Sequence, residues 1–138
     1  MSPFAENPGA VVAAVIGLGS MGLGMARSMT RAGLDVVGYD ITPAAVDRFI
    51  ADGGRGAATP ADAAKDADIV VSVVVNGAQT EAVLFGPEGV ASTMKPGAVF
   101  ISSATMDPAV ARDLAQRVDA HGLHYLDAPI SGGAAKAA

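Results

Sequence analysis

The sequence predicts an α/β protein built as a doubly wound, mainly parallel sheet with helices on both faces. Three observations carry that prediction. Short β-rich runs alternate with segments of helical spacing from residue 11 onward. Half of the residues are apolar (51%) and only 4% are aromatic, a composition suited to small side chains packed between helices and a buried sheet. Cap-and-proline pairs at Thr42-Pro43, Thr59-Pro60 and Asp107-Pro108 punctuate the chain as helix starts.

Each element follows in order. Val11 to Ile16 is a continuous β-rich run, and after it Met21, Met25 and Met29 recur four apart, so a strand feeds a helix through a glycine turn. That helix should stop at Gly33, and Val36 to Tyr39 reads as a second strand that closes a βαβ unit. From Thr42-Pro43 a helix with Val46, Phe49 and Ile50 on its buried face should run to Gly53-Gly54. A short helix starts at Thr59-Pro60, and Asp68 leads into the most hydrophobic strand, Ile69 to Val75, which is apolar on both faces and so belongs at the sheet centre. Gln79 to Phe85 and Glu88 to Met94 read as two helical pieces split by Gly86-Pro87. The Lys95-Pro96-Gly97 turn then precedes a strand, Ala98 to Ser102. A last helix runs from Asp107-Pro108 to near Gly122, followed by a strand at Leu123 to Leu126 and a glycine-rich tail.

Composition removes several function classes. With no cysteine, disulfides and thiolate metal sites are excluded. A net charge of -5 with nine scattered basic residues offers no cationic stripe for nucleic acid. The first ten residues lack the basic start of a signal peptide and read as a flexible leader, 1–10, ahead of one domain, 11–138. The longest apolar stretch is strand length, too short to cross a bilayer, so no membrane association is expected and the setting is expected to be cytoplasmic.

Gly17-Leu18-Gly19-Ser20-Met21-Gly22 fits G-x-G-x-x-G between a strand and a helix. In such a turn the first glycine permits the sharp bend, the second lets a pyrophosphate approach bare backbone, and the third lets helix and strand pack closely. The helix N-terminus adds free N–H groups and partial positive charge. Asp40 falls eighteen residues after Gly22, at the end of the second strand, where a carboxylate can bind adenosine ribose hydroxyls. No arginine stands at Ile41 or Thr42 to neutralise a 2′-phosphate, so NAD is expected in preference to NADP, in a Rossmann-type fold.

The string GLGSMGLGMA, the Asn76 loop, the segment SSAT at 102–105 and LDAPISGG at 126–133 together resemble the β-hydroxyacid dehydrogenase family, which includes 3-hydroxyisobutyrate dehydrogenases and tartronate semialdehyde reductases. VVN at 74–76, VLFG at 83–86, KPG at 95–97 and DAPISGGAAKAA at the end look most like its L-threonate dehydrogenase branch. The resemblance implies that Val75 and Asn76 pass near the cofactor riboses and that Thr105 contacts the cofactor; a cap for the helix beginning near Asp107 is the other reading of Thr105. It implies that Ser131, Gly132 and Gly133 hold a substrate carboxylate, where a hydroxyl and two amides can supply donors; a flexible glycine turn is the alternative. The family's catalytic lysine lies on a helix of a second domain, and no such motif occurs here. Lys136, in a small-residue tail, reads as solvated.

His121 and His124 are the only imidazoles. The first precedes Gly122 at a helix C-terminus and the second lies on a strand away from the carboxyl-end crevice, so both are expected to be structural. Asp127 is open between orienting a neighbour and holding the turn around Pro129. The resemblance thus implies hydride transfer between NAD and a small hydroxy acid such as L-threonate or 3-hydroxyisobutyrate. The full-length protein is expected to be a homo-oligomer, and this chain alone to be inactive. The rivals are a non-catalytic NAD-binding or interaction module and a glyoxylate or tartronate semialdehyde reductase on the same fold.

Overall fold

The computed structural model describes residues 11–128. The leader expected at 1–10, the Ser131-Gly132-Gly133 segment and Lys136 lie outside the described residues. Six parallel strands, β1 (Val12–Ile16), β2 (Asp35–Tyr39), β3 (Arg55–Gly56), β4 (Ile69–Ser72), β5 (Val99–Ser102) and β6 (His124–Asp127), form one sheet in the order β3-β2-β1-β4-β5-β6. Five α-helices connect them: α1 (Ser20–Arg31), α2 (Pro43–Ala51), α3 (Pro60–Ala64), α4 (Gly77–Phe85) and α5 (Pro108–Ala120). The strand order reverses between β1 and β4, so the crossovers from these two strands diverge and leave a crevice over their carboxyl ends.

Alternate residues of β1 and β2 feed two cores. Ala14, Val37, Val70 and Phe100 meet Leu84, Leu114 and Val118 on one face. Val15 and Val36 meet Leu18, Leu23, Ala26 and Phe49 on the other. Along α1 the fully buried positions are Gly22, Leu23, Gly24 and Ala26. The methionine stripe marks the helical period but is only half-buried, because small residues bring this helix against the sheet. On α2, Phe49 is wholly buried while Ile50 is 48% exposed, so the expected inward face is narrower by that residue.

Three further expectations are corrected. β4 ends at Ser72 rather than Val75, because its partner β1 ends at Ile16, opposite Ser72, and the glycine turn then takes the chain out of register. The segment from Glu88 to Met94 holds a 3₁₀ turn at Val90–Ser92, set off by Gly89 and too short for an α-helix. The helix expected at Gln79 begins two residues earlier, at Gly77. The two-residue β3 had no sequence signal; both its residues are exposed and it pairs only with Val37 and Gly38.

Candidate cofactor site

The glycine turn is built so that its three glycines have different neighbours. Gly17 sits at φ +103°, and a Cβ there would come within 2.3 Å of the Val73 carbonyl oxygen. A Cβ on Gly22 would lie 1.8 Å from the Gly17 carbonyl oxygen, so only glycine lets α1 start this close to the end of β1. A Cβ on Gly19 would meet nothing within 4 Å. Gly17 and Gly22 therefore hold the backbone together, whereas Gly19 borders open space.

That open space is a cleft of about 520 Å³ over the carboxyl ends of β1, β2 and β4. Gly17 and Gly19 form its floor, Tyr39, Asp40 and Ile41 one wall, and Val73 to Val75 the other. Gly19 caps α1 with no side chain accepting from the first turn, and the first bond of the helix runs from the Leu23 N–H to the Gly19 carbonyl at 2.8 Å. The earlier N–H groups of the helix have no intrahelical acceptor, and they bring partial positive charge to the floor. Two apolar side chains stand exposed on opposite walls, Ile41 at 87% and Val75 at 75%, ready to sandwich a flat apolar group.

Asp40 follows β2 directly, beside this floor. Its Oδ2 accepts the Leu18 N–H at 2.7 Å and its Oδ1 accepts the Thr42 N–H at 2.8 Å. A carboxylate has about four lone-pair sites, so acceptor capacity for a diol is left after both bonds. Next to the far wall but not among its lining residues, Asn76 caps α4: its Oδ1 accepts the Gln79 N–H at 2.9 Å, and Gln79 Oε1 accepts the Val75 N–H at 2.9 Å. This reciprocal box fixes the Val75 backbone at the cleft mouth. The spacing Asn76-x-x-Gln79 carried that signal in the sequence, and Gln79 was missed as a residue of the site.

The remaining candidates lie apart from the glycine turn. Thr105 is exposed in the loop after β5, and α5 is capped by Asp107, whose Oδ1 accepts the Ala109 N–H at 2.8 Å. The capping alternative for Thr105 therefore falls away. Ser103 Oγ donates to the Ser72 carbonyl at 2.7 Å and ties this loop to β4. His121 ends α5 with Nδ1 2.8 Å from the Arg117 carbonyl oxygen and its ring against Phe85, while His124 begins β6 at the amino end of the sheet. Asp127 ends β6, exposed. Burial pushes the Tyr125 phenol above its ordinary pKa and the Asp127 carboxylate adds to the shift, so it stays protonated at neutral pH. Among the described residues, no group of three or more His, Asp and Glu could hold a metal ion, and no helix is long and apolar enough to cross a membrane.

Another groove, of about 470 Å³, lies on the opposite rim beside Asp68, Ile69, residues 95–99 and Ile101. Lys95 Nζ meets Asp68 Oδ1 there at 2.6 Å, and Asp68 Oδ2 accepts the Val12 N–H at 2.9 Å. These bonds clamp the amino ends of the strands, and the groove borders the Lys95-Pro96-Gly97 turn rather than an α-helix N-terminus.

Residues 12–138 match the family model described as the NAD binding domain of 6-phosphogluconate dehydrogenase. Among curated relatives, the L-threonate dehydrogenase of Cupriavidus necator is 50% identical over 124 residues, which cover 90% of this chain and 42% of that protein. A crystal structure of 3-hydroxyisobutyrate dehydrogenase from Salmonella typhimurium superposes with a TM-score of 0.86 at 44% identity, covering 91% of this chain and 44% of that one. An imine reductase variant from Myxococcus stipitatus in complex with NAD+ gives a TM-score of 0.83 at 26% identity, covering 91% and 42%. The chain thus spans less than half the length of these relatives.

Proposed function

Since the chain belongs to the family of the NAD binding domain of 6-phosphogluconate dehydrogenase, we propose that the cleft over the glycine turn seats NAD for a dehydrogenase acting on a small hydroxy acid. The single observation that carries the placement is the contrast among the three fingerprint glycines, of which Gly19 alone faces open space, at the position where a side chain would fill the cradle without disturbing the fold. The α1 amides would hold the pyrophosphate, with Ser20 and Met21 approaching it through backbone, while Leu18 would support the turn with its N–H held by Asp40. Asp40 would accept from the adenosine ribose, Ile41 and Val75 would flank the adenine, and Asn76 and Thr105 would border the cofactor further along. When bound, the cofactor supplies the hydride acceptor.

A 2′-phosphate would meet the Asp40 carboxylate, which cannot swing aside without abandoning two amide N–H groups. NAD is therefore favoured over NADP. The carboxylate of the hydroxy acid would rest on Ser131, Gly132 and Gly133, and the hydroxyl proton would pass to a lysine on a segment outside these residues. The substrate reading is supported by the L-threonate and 3-hydroxyisobutyrate dehydrogenase relatives. The setting would be cytoplasmic and the full-length protein a homo-oligomer. The two described imidazoles lie away from the cleft, and the phenol on its wall is that of Tyr39.

Calorimetry on the 138-residue chain should therefore show NAD bound at least about tenfold more tightly than NADP, the worth of one charge-assisted hydrogen bond. Assays with L-threonate, 3-hydroxyisobutyrate and glycerate at saturating NAD should give no NADH. Equal affinity for both cofactors would remove Asp40 from the selecting role. Turnover that disappears in Lys136→Ala would place the proton acceptor within this chain instead.

A further inference from the structure

Asp40 joins two loops that lie 22 residues apart, at the ends of β1 and β2. The glycine turn is stitched to β2 at three points. The Gly17 N–H donates to the Tyr39 carbonyl at 2.8 Å. The Leu18 side chain, 1% exposed, lies so close to Gly38 that a Cβ there would come within 2.9 Å of it. The third stitch is the Leu18 N–H on Asp40 Oδ2, one residue before Gly19 on the cleft floor. The other carboxylate oxygen is held by the Thr42 N–H, which keeps the group from rotating off the turn.

We propose that Asp40 is a positioning residue for the pyrophosphate-binding turn, in addition to any contact it makes with the ribose. By holding the Leu18 amide it ties that N–H to the chain just after β2 and fixes the Gly19 backbone at the start of α1. The amides that follow then face the phosphates without rearranging. Losing the carboxylate would therefore weaken the hold on the phosphates even for a ligand with no ribose hydroxyls to bind. The inference rests on the reading that NAD occupies this cleft.

A binding cycle separates the two roles, with unaltered chain and Asp40→Ala each titrated with NAD and with an NAD analogue whose adenosine ribose lacks both hydroxyls. If Asp40 orders the turn, Asp40→Ala binds the dideoxy analogue about tenfold more weakly than the unaltered chain does, the worth of one ordering hydrogen bond. Equal affinity of the two chains for the analogue overturns the proposal and leaves Asp40 a ribose acceptor only. Amide hydrogen exchange on the ligand-free chains gives a second readout: exchange at Leu18 should accelerate in Asp40→Ala while Gly17, bonded to Tyr39, stays protected. Unchanged Leu18 exchange would equally overturn it. Should Asp40→Ala fail to fold, Asp40→Asn serves, since one acceptor oxygen cannot serve both amides as the carboxylate does. Exchange must then rise at Leu18 or at Thr42, and protection of both contradicts the proposal. Failure of the unaltered chain to bind NAD at all would refute the cofactor reading instead, and the exchange result would still decide the role of Asp40 in the turn.

Discussion

Gly19→Ala isolates cofactor binding from folding. Gly19 has φ -68° and ψ -171°, an extended conformation that alanine adopts without strain, and its Cβ would meet nothing within 4 Å. Alanine is a poorer helix cap than glycine but has less chain entropy to lose. The two effects oppose each other, and the net change in stability should stay within about 1 kcal/mol. The new methyl projects over the cleft floor, where the pyrophosphate must approach the backbone. Loss of two charge-assisted hydrogen bonds, each of about 1.5 to 3 kcal/mol, would weaken NAD by roughly a hundredfold to ten-thousandfold. Calorimetric titration with NAD, alongside thermal melting of both chains, measures the two quantities separately. An unchanged Kd with an unchanged Tm would refute the placement of the pyrophosphate. A collapsed Tm would refute the claim that Gly19 has no structural duty.

Gly22→Ala should behave in the opposite way: its Cβ would lie 1.8 Å from the Gly17 carbonyl oxygen, so the helix must move off the strand, and stability should fall by about 3 kcal/mol or more, a drop of about 10 °C in Tm by thermal melting. For Asp68, burial raises the carboxyl pKa, but the bonds from Lys95 and the Val12 amide outweigh it and leave the pKa below its ordinary 3.8. The stabilisation from this clamp is therefore fully present above about pH 3.8 and is lost as pH falls through the lowered value. Urea midpoints measured between pH 6 and pH 2.5 should fall less steeply for Asp68→Asn than for the unaltered chain, and parallel curves would contradict the role of the clamp.

The legible parts of the fold were those in which one short segment carries both period and punctuation. Thr59-Pro60 and Asp107-Pro108 started helices as read, with Thr59 accepting the Asp62 N–H and Asp107 the Ala109 N–H. Interior placement of β4 followed from an apolar run without alternation. The same run misled at its end. Val73 to Val75 are as hydrophobic as the strand before them, yet Val75 is 75% exposed at the cleft mouth, and an exposed binding wall cannot be told from buried sheet by hydrophobicity alone. β3 was invisible because two exposed residues have no pattern to read.

The glycine spacing found the turn that floors the cleft, but which glycine faces the cleft depends on backbone approach between Gly17, Gly22 and Val73, and no local pattern encodes that. Asp40 was found by its distance from the fingerprint. Its grip on Leu18 was not, because the partner is a backbone N–H in another loop. Ile41 was weighed only for the charge it lacks, whereas its exposed side chain forms a wall of the cleft.

The most direct test of the cofactor site is a titration of the isotope-labelled 138-residue chain with NAD, followed amide by amide in two-dimensional NMR spectra. Saturable shifts should concentrate at Gly17 to Gly22, Asp40, Ile41 and Val75-Asn76, on both walls and the floor of one cleft, while the Asp68–Lys95 groove at the opposite rim stays silent. Shifts centred on that groove, or none at all with NAD in excess, would contradict the account.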